Sequence, residues 1–407
     1  MNIQEYKILA VTGYGHFMAH FNMLVFPAMV LPLTRQLNLE LTEVLSLSFV
    51  MYLLFGLTAL PWGLAADRWS AKSLMLVFFL GAGLSNLAAA FWINSPVGLT
   101  VALAGVGLFS GIYHPIGLGL ISKGVRQVSL AMGYNGMSGN LGLACAPFLA
   151  GIFTWIWGLK AAFLAVCAIN LVGLGLMGVL SFDEAPDAAE TESETQGKNL
   201  ISFLFLLAAM MLGGISYRGA IVVLPAFIEI RSPGLMQALS GLWSETVTGT
   251  LVATSLTSFI FLIGILGQYI GGHIGNRFEP RYSYLLFHLF SLPAIFLMTV
   301  AQNLPLVGIA IIYFFFLMGL QPIENTLVAG LTPHKFHHSA YGFKFILTFG
   351  VGSLAVKMVG FIEGSWGLQA VFPTLGFVTI ILIGSVVFLI ITSSSLHSEK
   401  INEPSAG

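Results

Sequence analysis

The chain has 407 residues, of which 57% are hydrophobic and only 8% are charged, and its net charge is −1. A soluble domain carries about 25% charged residues; no soluble fold of this length could hide so much apolar surface, whereas lipid can cover the outside of a membrane protein. The balanced charge offers no basic patch for nucleic acid, and the two cysteines, Cys145 and Cys167, sit in apolar runs that give neither a disulfide framework nor a metal motif.

Runs long enough to cross hydrocarbon, about 20 residues each, are predicted at 8–33, 44–65, 73–93, 97–121, 129–156, 160–182, 200–229, 247–275, 282–301, 304–331, 339–361 and 366–392. The stretch Met1 to Ala10 lacks the charge-then-cleavage pattern of a signal peptide, so the first run is expected to stay as a helix. Barrel strands would alternate in polarity over about 10 residues, and these runs do not. The fold class expected is therefore all-α integral membrane, with twelve transmembrane helices as two pseudo-symmetric six-helix bundles. One segment breaks the apolar texture: Asp183 to Asn199 is acidic, without a hydrophobic face, and reads as a linker. It divides the chain into an N-terminal bundle at 1–182, a linker at 183–199, a C-terminal bundle at 200–392 and a tail at 393–407. With the N-terminus inside, inner loops and tails hold Lys7, Arg68, Lys72, Lys123, Arg126, Lys198, Arg277, Arg281, Lys335 and Lys400, against Arg35, Lys160 and Arg231 outside. That bias predicts both termini in the cytoplasm of a multi-pass protein, in a bacterial inner membrane.

The two halves repeat. After the second predicted helix the sequence runs from Gly63 through Asp67, Arg68 and Trp69 to Lys72; after the eighth, Gly272, Asn276, Arg277, Phe278 and Arg281 stand at equivalent places, a shift of 209. The same shift pairs Ala131, Gly133 and Tyr134 with Ala340, Gly342 and Phe343. Earlier in each half the shift is 198, pairing Pro27 with Pro225, and the difference is an insertion in the outer loop at 232–246. Parallel repeats about an axis along the membrane normal are a known transporter architecture.

The segment GLAADRWSAK resembles the loop signature between the second and third helices of the major facilitator superfamily, through Gly63, Asp67, Arg68 and Lys72. The resemblance implies two bundles rocking about a central cavity, lined mainly by helices 1, 4, 7 and 10. It implies a gating loop of Gly63, Asp67, Arg68 and Lys72, with Asn276, Arg277 and Arg281 in the second copy. His16 to Asn22 and Gly111 to Pro115 are similar to segments of fosmidomycin-resistance-type efflux proteins, although His20 and Ile116 stand where that group has acidic residues. The stretch Gly142 to Gly151 resembles the antiporter motif of the fifth helix, with Ala146 and Ala150 in place of two glycines.

Ionisable groups inside a membrane are costly and usually functional, and here they fall on those four helices. The first offers His16 and His20 on one face, the fourth His114, the seventh Tyr217 and Arg218, and the tenth Gln321, Glu324 and Asn325. The repeat places His20 opposite Arg218 and His114 opposite Gln321. His16, His20, His114, Tyr217, Arg218, Gln321 and Asn325 are the expected substrate-binding residues. Glu324 and His114 are the expected proton carriers. Arg218 needs an anion: Glu324, a solute, or both in turn. Lys344, aligned with Asn135, is a candidate for the cavity's inner mouth, or for snorkelling to the interface. His16 and His20 have a spacing that suits a metal ion, but two imidazoles alone make no site, so no metal and no cofactor are expected.

With no phosphate-binding GxxxxGK[ST] loop, an ion or solute gradient must drive transport. The function expected is proton-coupled efflux of a small anionic or zwitterionic solute by alternating access, by a chain working as a monomer with solute and lipid as its partners. Uptake of a nutrient anion or metal chelate is the runner-up. A receptor or scaffold is a third reading, against which the short loops speak, and no nucleophile motif points to an enzyme.

Overall fold

The computed structural model describes residues 1–66, 69–126, 128–180, 200–243, 248–331 and 343–393. The expectations for Asp67, Arg68 and the linker at 183–199 lie outside those residues, as does the side chain of Asn276. Every regular element among the described residues is helical. Ten helices are long and apolar enough to cross a membrane, and two bent pairs complete a set of twelve spans.

Local chemistry sets where the spans begin. Asn2 and Glu5 form a reciprocal capping box, with Glu5 N donating to Asn2 Oδ1 at 2.9 Å and Asn2 N to Glu5 Oε2 at 2.6 Å. This starts the first span at Ile3, five residues before the apolar run itself. Ser70, Ser95 and Thr248 cap the third, fourth and eighth spans (Ala71–Phe91, from Pro96, and Gly249–Arg277) with their side chains. Proline and glycine set where spans break. The first, Ile3–Ala28 with Val30–Leu37, bends by 49° just after Pro27. The second, Leu41–Leu57 with Ala59–Ala65, bends by 40° ahead of Pro61. The fourth is interrupted between Ser110 and Tyr113, just before Pro115. Proline offers no N–H to the preceding turn, so these are the places where a helix loses a bond and yields.

The remaining spans are Val128–Trp157, Leu159–Val179, Leu200–Arg231, Pro280–Val300, Asn303–Leu331, Phe343–Trp366 and Val371–Thr392. Their packing obeys the repeat. The first lies on the fifth as the seventh lies on the eleventh, the third on the sixth as the ninth on the twelfth, and the second on the fourth as the eighth on the tenth. Across the halves, the fifth packs on the eighth and, by the same symmetry, the eleventh on the second. Small residues permit both crossings. A Cβ on Gly56 would lie 2.0 Å from Gly350 N, and one on Gly151 would lie 2.1 Å from Thr254 Oγ1.

The end of the bundle where the first span begins is called here the terminal face, and the opposite end the distal face. At the distal face the halves are tied by Arg35 to Glu229 at 3.5 Å and by Thr42 Oγ1 to Gly360 O at 3.1 Å, with Thr42 also donating to Glu363. The insertion at 232–246 is not simply a loop: Pro233–Trp243 is a helix. Asn303 Oδ1 accepts from Leu235 N at 3.0 Å, and the helix packs on the eighth and tenth spans; just before it, Arg231 at the end of the seventh span reaches Thr299 O at 3.1 Å. Inside the N-terminal half, Asn22 bonds Ser110, Asn86 and Asn170, a buried amide cluster joining spans 1, 3, 4 and 6.

Candidate functional site

Midway along the first span, His16 and His20 meet His114 of the fourth. The ring centroids form a near-equilateral triangle: 4.9 Å for His16–His20, 5.3 Å for His16–His114 and 5.4 Å for His20–His114. One turn of helix puts the first pair side by side, and their Nε2 atoms are 3.1 Å apart. His16 lies so close to the fifth span that a Cβ on Gly139 would stand 2.7 Å from its ring. There its Nδ1 bonds the carbonyl of Asn135 at 2.8 Å. A carbonyl only accepts, so Nδ1 carries the hydrogen, and in the neutral ring Nε2 presents its lone pair to His20. Asn135 also accepts from the Tyr113 hydroxyl at 2.6 Å, and the Tyr113 ring stacks on His16 at 5.0 Å.

His114 does not satisfy the carbonyl freed by Pro115, as a buried histidine there could. Its Nδ1 is buried without a partner. Aromatic rings enclose it: Phe55 at 5.4 Å, Phe345 at 5.0 Å and Phe349 at 5.4 Å, all edge-on. In the eleventh span Phe345 stands just before, and Phe349 within, a departure from α-helical winding, a π-helical segment at Ile346–Gly350. The segment stacks Phe345 on Phe349 at 5.6 Å and turns both towards His114.

Arg218 approaches from the seventh span. Its guanidinium lies 4.0 Å from the centroid of Tyr52, on the second span, and 5.8 Å from that of Phe349. It is within electrostatic range of His20. It is buried, and its Nε has no partner. The cation–π contact is worth about 2 kcal/mol when desolvated, but it does not neutralise the charge. Of the anions open to Arg218, Glu324 is not paired with it here. Glu324 is already engaged by Lys344, whose Nζ lies 2.8 Å from Oε1, while Tyr284 donates to Oε2 at 3.0 Å. Lys344 also donates to Asn325 Oδ1 at 2.5 Å. Neither the cavity mouth nor the interface describes it: its side chain is only 8% exposed, and that of Glu324 only 12%. An ammonium so buried takes the nearest carboxylate, and the tenth span supplies it.

A third group links the halves. Gln321 accepts from Gln268 of the eighth span at 2.9 Å, and Gln268 exchanges bonds with Asn140 of the fifth. Tyr217 is hydrogen-bonded to Gln321 as well. The structure thus gathers the expected residues into two ionisable groups and a polar bridge: His16, His20 and His114 beside Arg218; Glu324 and Asn325 with Lys344; Tyr217 and Gln321 on the bridge. Tyr52, Asn135, Asn140, Gln268 and Tyr284 were not singled out as site residues by the sequence, since uncharged polar residues are common in apolar helices. Only the repeat, pairing Asn135 with Lys344, pointed at one of them.

Of the residues expected to form a gating loop, Gly63 faces Pro115, with room for a Cβ at 3.5 Å. Lys72 lies in the first turn of the third span. In the second copy Arg277 stands 6.0 Å from the Phe278 ring. Arg281 bonds Glu279 at 2.9 Å and Ser393 O at 2.5 Å, which ties the ninth span to the twelfth within one half. Glu5 accepts from the backbone and side chain of Arg126, at 3.0 and 3.2 Å, anchoring the first span to the segment between the fourth and fifth.

Comparison with known proteins gives consistent results. The Major Facilitator Superfamily model matches residues 12–355. An uncharacterized MFS-type transporter, YfnC, of Bacillus subtilis (strain 168) is 23% identical, over 96% of this chain and 94% of its own length. The enterobactin exporter EntS of Salmonella typhimurium is 24% identical over 54% of this chain, which spans about half, 52%, of that relative. Among solved structures, a bacterial homolog of the human lysosomal transporter Spinster shares the fold. Its inward-facing and occupied form has a TM-score of 0.69 at 14% identity, covering 96% of both chains. Its inward-facing and unoccupied form has a TM-score of 0.70 at 13% identity, with the same coverage.

Proposed function

The chain belongs to the major facilitator superfamily, a family of transporters rather than enzymes, and from that premise we propose that it exports a small organic anion or zwitterion by proton-coupled alternating access. Arg218 carries this reading. It is buried at the meeting of the two halves, its Nε is unpartnered, and the carboxylate that could have neutralised it is held by Lys344. Arginine keeps its charge in proteins. The missing anion is then the solute, received between Tyr52, the histidines and the amides of the polar bridge.

Glu324 is the proton carrier in this scheme. A proton on Glu324 dissolves its pair with Lys344 and frees an ammonium at the base of the π-helical segment, which packs Phe349 against His114 and near Arg218. The moving bodies are the bundles 1–182 and 200–392. The contacts of Arg35 and Thr42 hold the distal face shut in this conformation and must part in the other. The Lys and Arg bias supports a cytoplasmic terminal face, and bacterial relatives support an inner membrane. Export is supported by the exporter among the relatives and by the close fifth–eighth crossing. A single chain suffices for the cycle.

The test is solute-driven proton movement in proteoliposomes, read with an internal pH dye against pooled organic anions. Wild-type protein is expected to exchange protons for solute. Arg218→Ala should abolish solute binding and flux together, while Glu324→Gln should leave solute exchange and remove the proton signal. Transport that survives Arg218→Ala would overturn the reading of the solute as an anion.

A further inference from the structure

The sequence offered two histidines at helical spacing; the fold adds a third. A ring nitrogen of each of His16, His20 and His114 lies within 4.8 Å of the others. Three nitrogens around a tetrahedral metal ion stand about 3.3 Å apart, given bonds of about 2.0–2.1 Å. His16 and His20 already present Nε2 atoms 3.1 Å from each other. His114 is the remaining member, and its buried Nδ1 has no hydrogen-bond partner. A satisfied core histidine would not leave that atom bare.

The surroundings match a metal site in a second respect. Metal-bound histidines almost always donate their other N–H to a carbonyl or carboxylate, which fixes the tautomer. His16 does this through Asn135 O at 2.8 Å, leaving Nε2 as the lone-pair atom facing the cluster. The stacked Tyr113, hydrogen-bonded to the same Asn135, holds the ring in that orientation. All three histidines belong to one half of the molecule, so the cluster stays assembled as the halves rock.

We propose that His16, His20 and His114 bind one divalent transition-metal ion of the zinc class, with its fourth coordination position open to an anion held by Arg218. Imidazole donors suit zinc, copper, nickel and cobalt, whereas magnesium and calcium call for oxygen ligands. Three protein ligands and one open position are the pattern of a metal that receives a ligand rather than one that only props the fold. The cationic neighbourhood, Arg218 beside His20 and Lys344 near His114, would repel a bare ion. It instead favours a metal that arrives with, or acquires, an anionic ligand. The inference does not depend on the solute proposed above, because metal binding is read at equilibrium without transport.

The experiment uses tag-free, full-length protein in detergent, titrated with Co²⁺ and with Zn²⁺ in competition with Co²⁺. A tetrahedral cobalt site absorbs strongly in the visible, and one equivalent is expected. His16→Ala, His20→Ala and His114→Ala should each weaken binding at least about 10-fold. If an alanine variant is not monodisperse, His16→Gln, His20→Gln or His114→Gln replaces it, keeping polarity and size. A variant with His334, His337 and His338, the cluster in the sequence TPHKFHHS, all changed to Ala should bind as wild type. Azide added to the cobalt form should shift its spectrum, and Arg218→Ala should raise the azide concentration required at least about 10-fold. Binding that persists in the triple His16, His20 and His114 variant, or that disappears with the triple His334, His337 and His338 variant instead, means an adventitious ion only and overturns the site. An azide response unchanged in Arg218→Ala overturns the role given to the arginine.

Discussion

Replacing Lys344 with methionine strands Glu324 in the protein interior with Tyr284 as its remaining donor. Removing one partner of a buried pair leaves an uncompensated charge, at a cost of about 3–5 kcal/mol. Glu324→Gln strands the ammonium instead, at a cost of about the same size. The double variant removes both charges and should cost about 1 kcal/mol, since the new amide can still accept from Tyr284. The assay is the midpoint of heat-induced loss of the monodisperse species in detergent, relative to wild type at pH 7. The double variant should stand above both single ones. A double variant below either single would refute the pair as a coupled unit.

Three further outcomes follow from the packing. Gly56→Val should abolish recovery of folded protein, since even the first carbon of a side chain would meet Gly350 N at 2.0 Å; size-exclusion chromatography of membrane extracts checks this, and normal recovery would mean that the second and eleventh spans do not cross there. Thr42→Val combined with Glu363→Gln removes the Thr42 bonds of the distal face and leaves only the pair of Arg35 with Glu229 among those described, and should lengthen the distance between spin labels at Gln36 and Ser365 in a background lacking Cys145 and Cys167. Asn22→Leu breaks the amide cluster. At about 0.6 kcal/mol per interhelical bond, up to about 1.7, a loss of about 2 kcal/mol in thermal stability is expected, with solute affinity unchanged.

The fold was legible because a membrane span announces itself by length and apolarity alone, and because the repeat, once aligned at a shift of 209, fixes which helices correspond. Span ends were less so. The first span starts at Ile3 because Asn2 and Glu5 cap it, a contribution from polar residues that an apolar window discards. The helix at Pro233–Trp243 was too short to register as a span, and so read as loop. In the site, the intramembrane charges stood out against their apolar neighbours, and His16, His20 and His114 do meet. Pairing was not legible. Glu324 was one of the anions open to Arg218, since each was the obvious charge on its helix, yet Lys344 sits two residues ahead of the π-helical segment and reaches Glu324. Helix pitch places side chains only while winding stays regular, and no residue pattern in 346–350 signals that it does not.

That irregular turn makes the eleventh span unusually sensitive to changes in length. A π turn holds one residue more than an α turn, and each residue of an α-helix advances about 100° around the axis. Deleting one residue between Ile346 and Gly350 would let the turn relax to α. With the later face pinned where Gly350 meets Gly56, the earlier part would rotate by roughly that amount, carrying Lys344 and Phe345 away from Glu324 and His114 together. One codon lost at this point would disconnect the charge pair and the histidine cluster at a stroke, while the apolar surface facing lipid stayed apolar. Among descendants of a common ancestor, the presence or absence of that single residue is therefore where a change of coupling would leave its genetic trace.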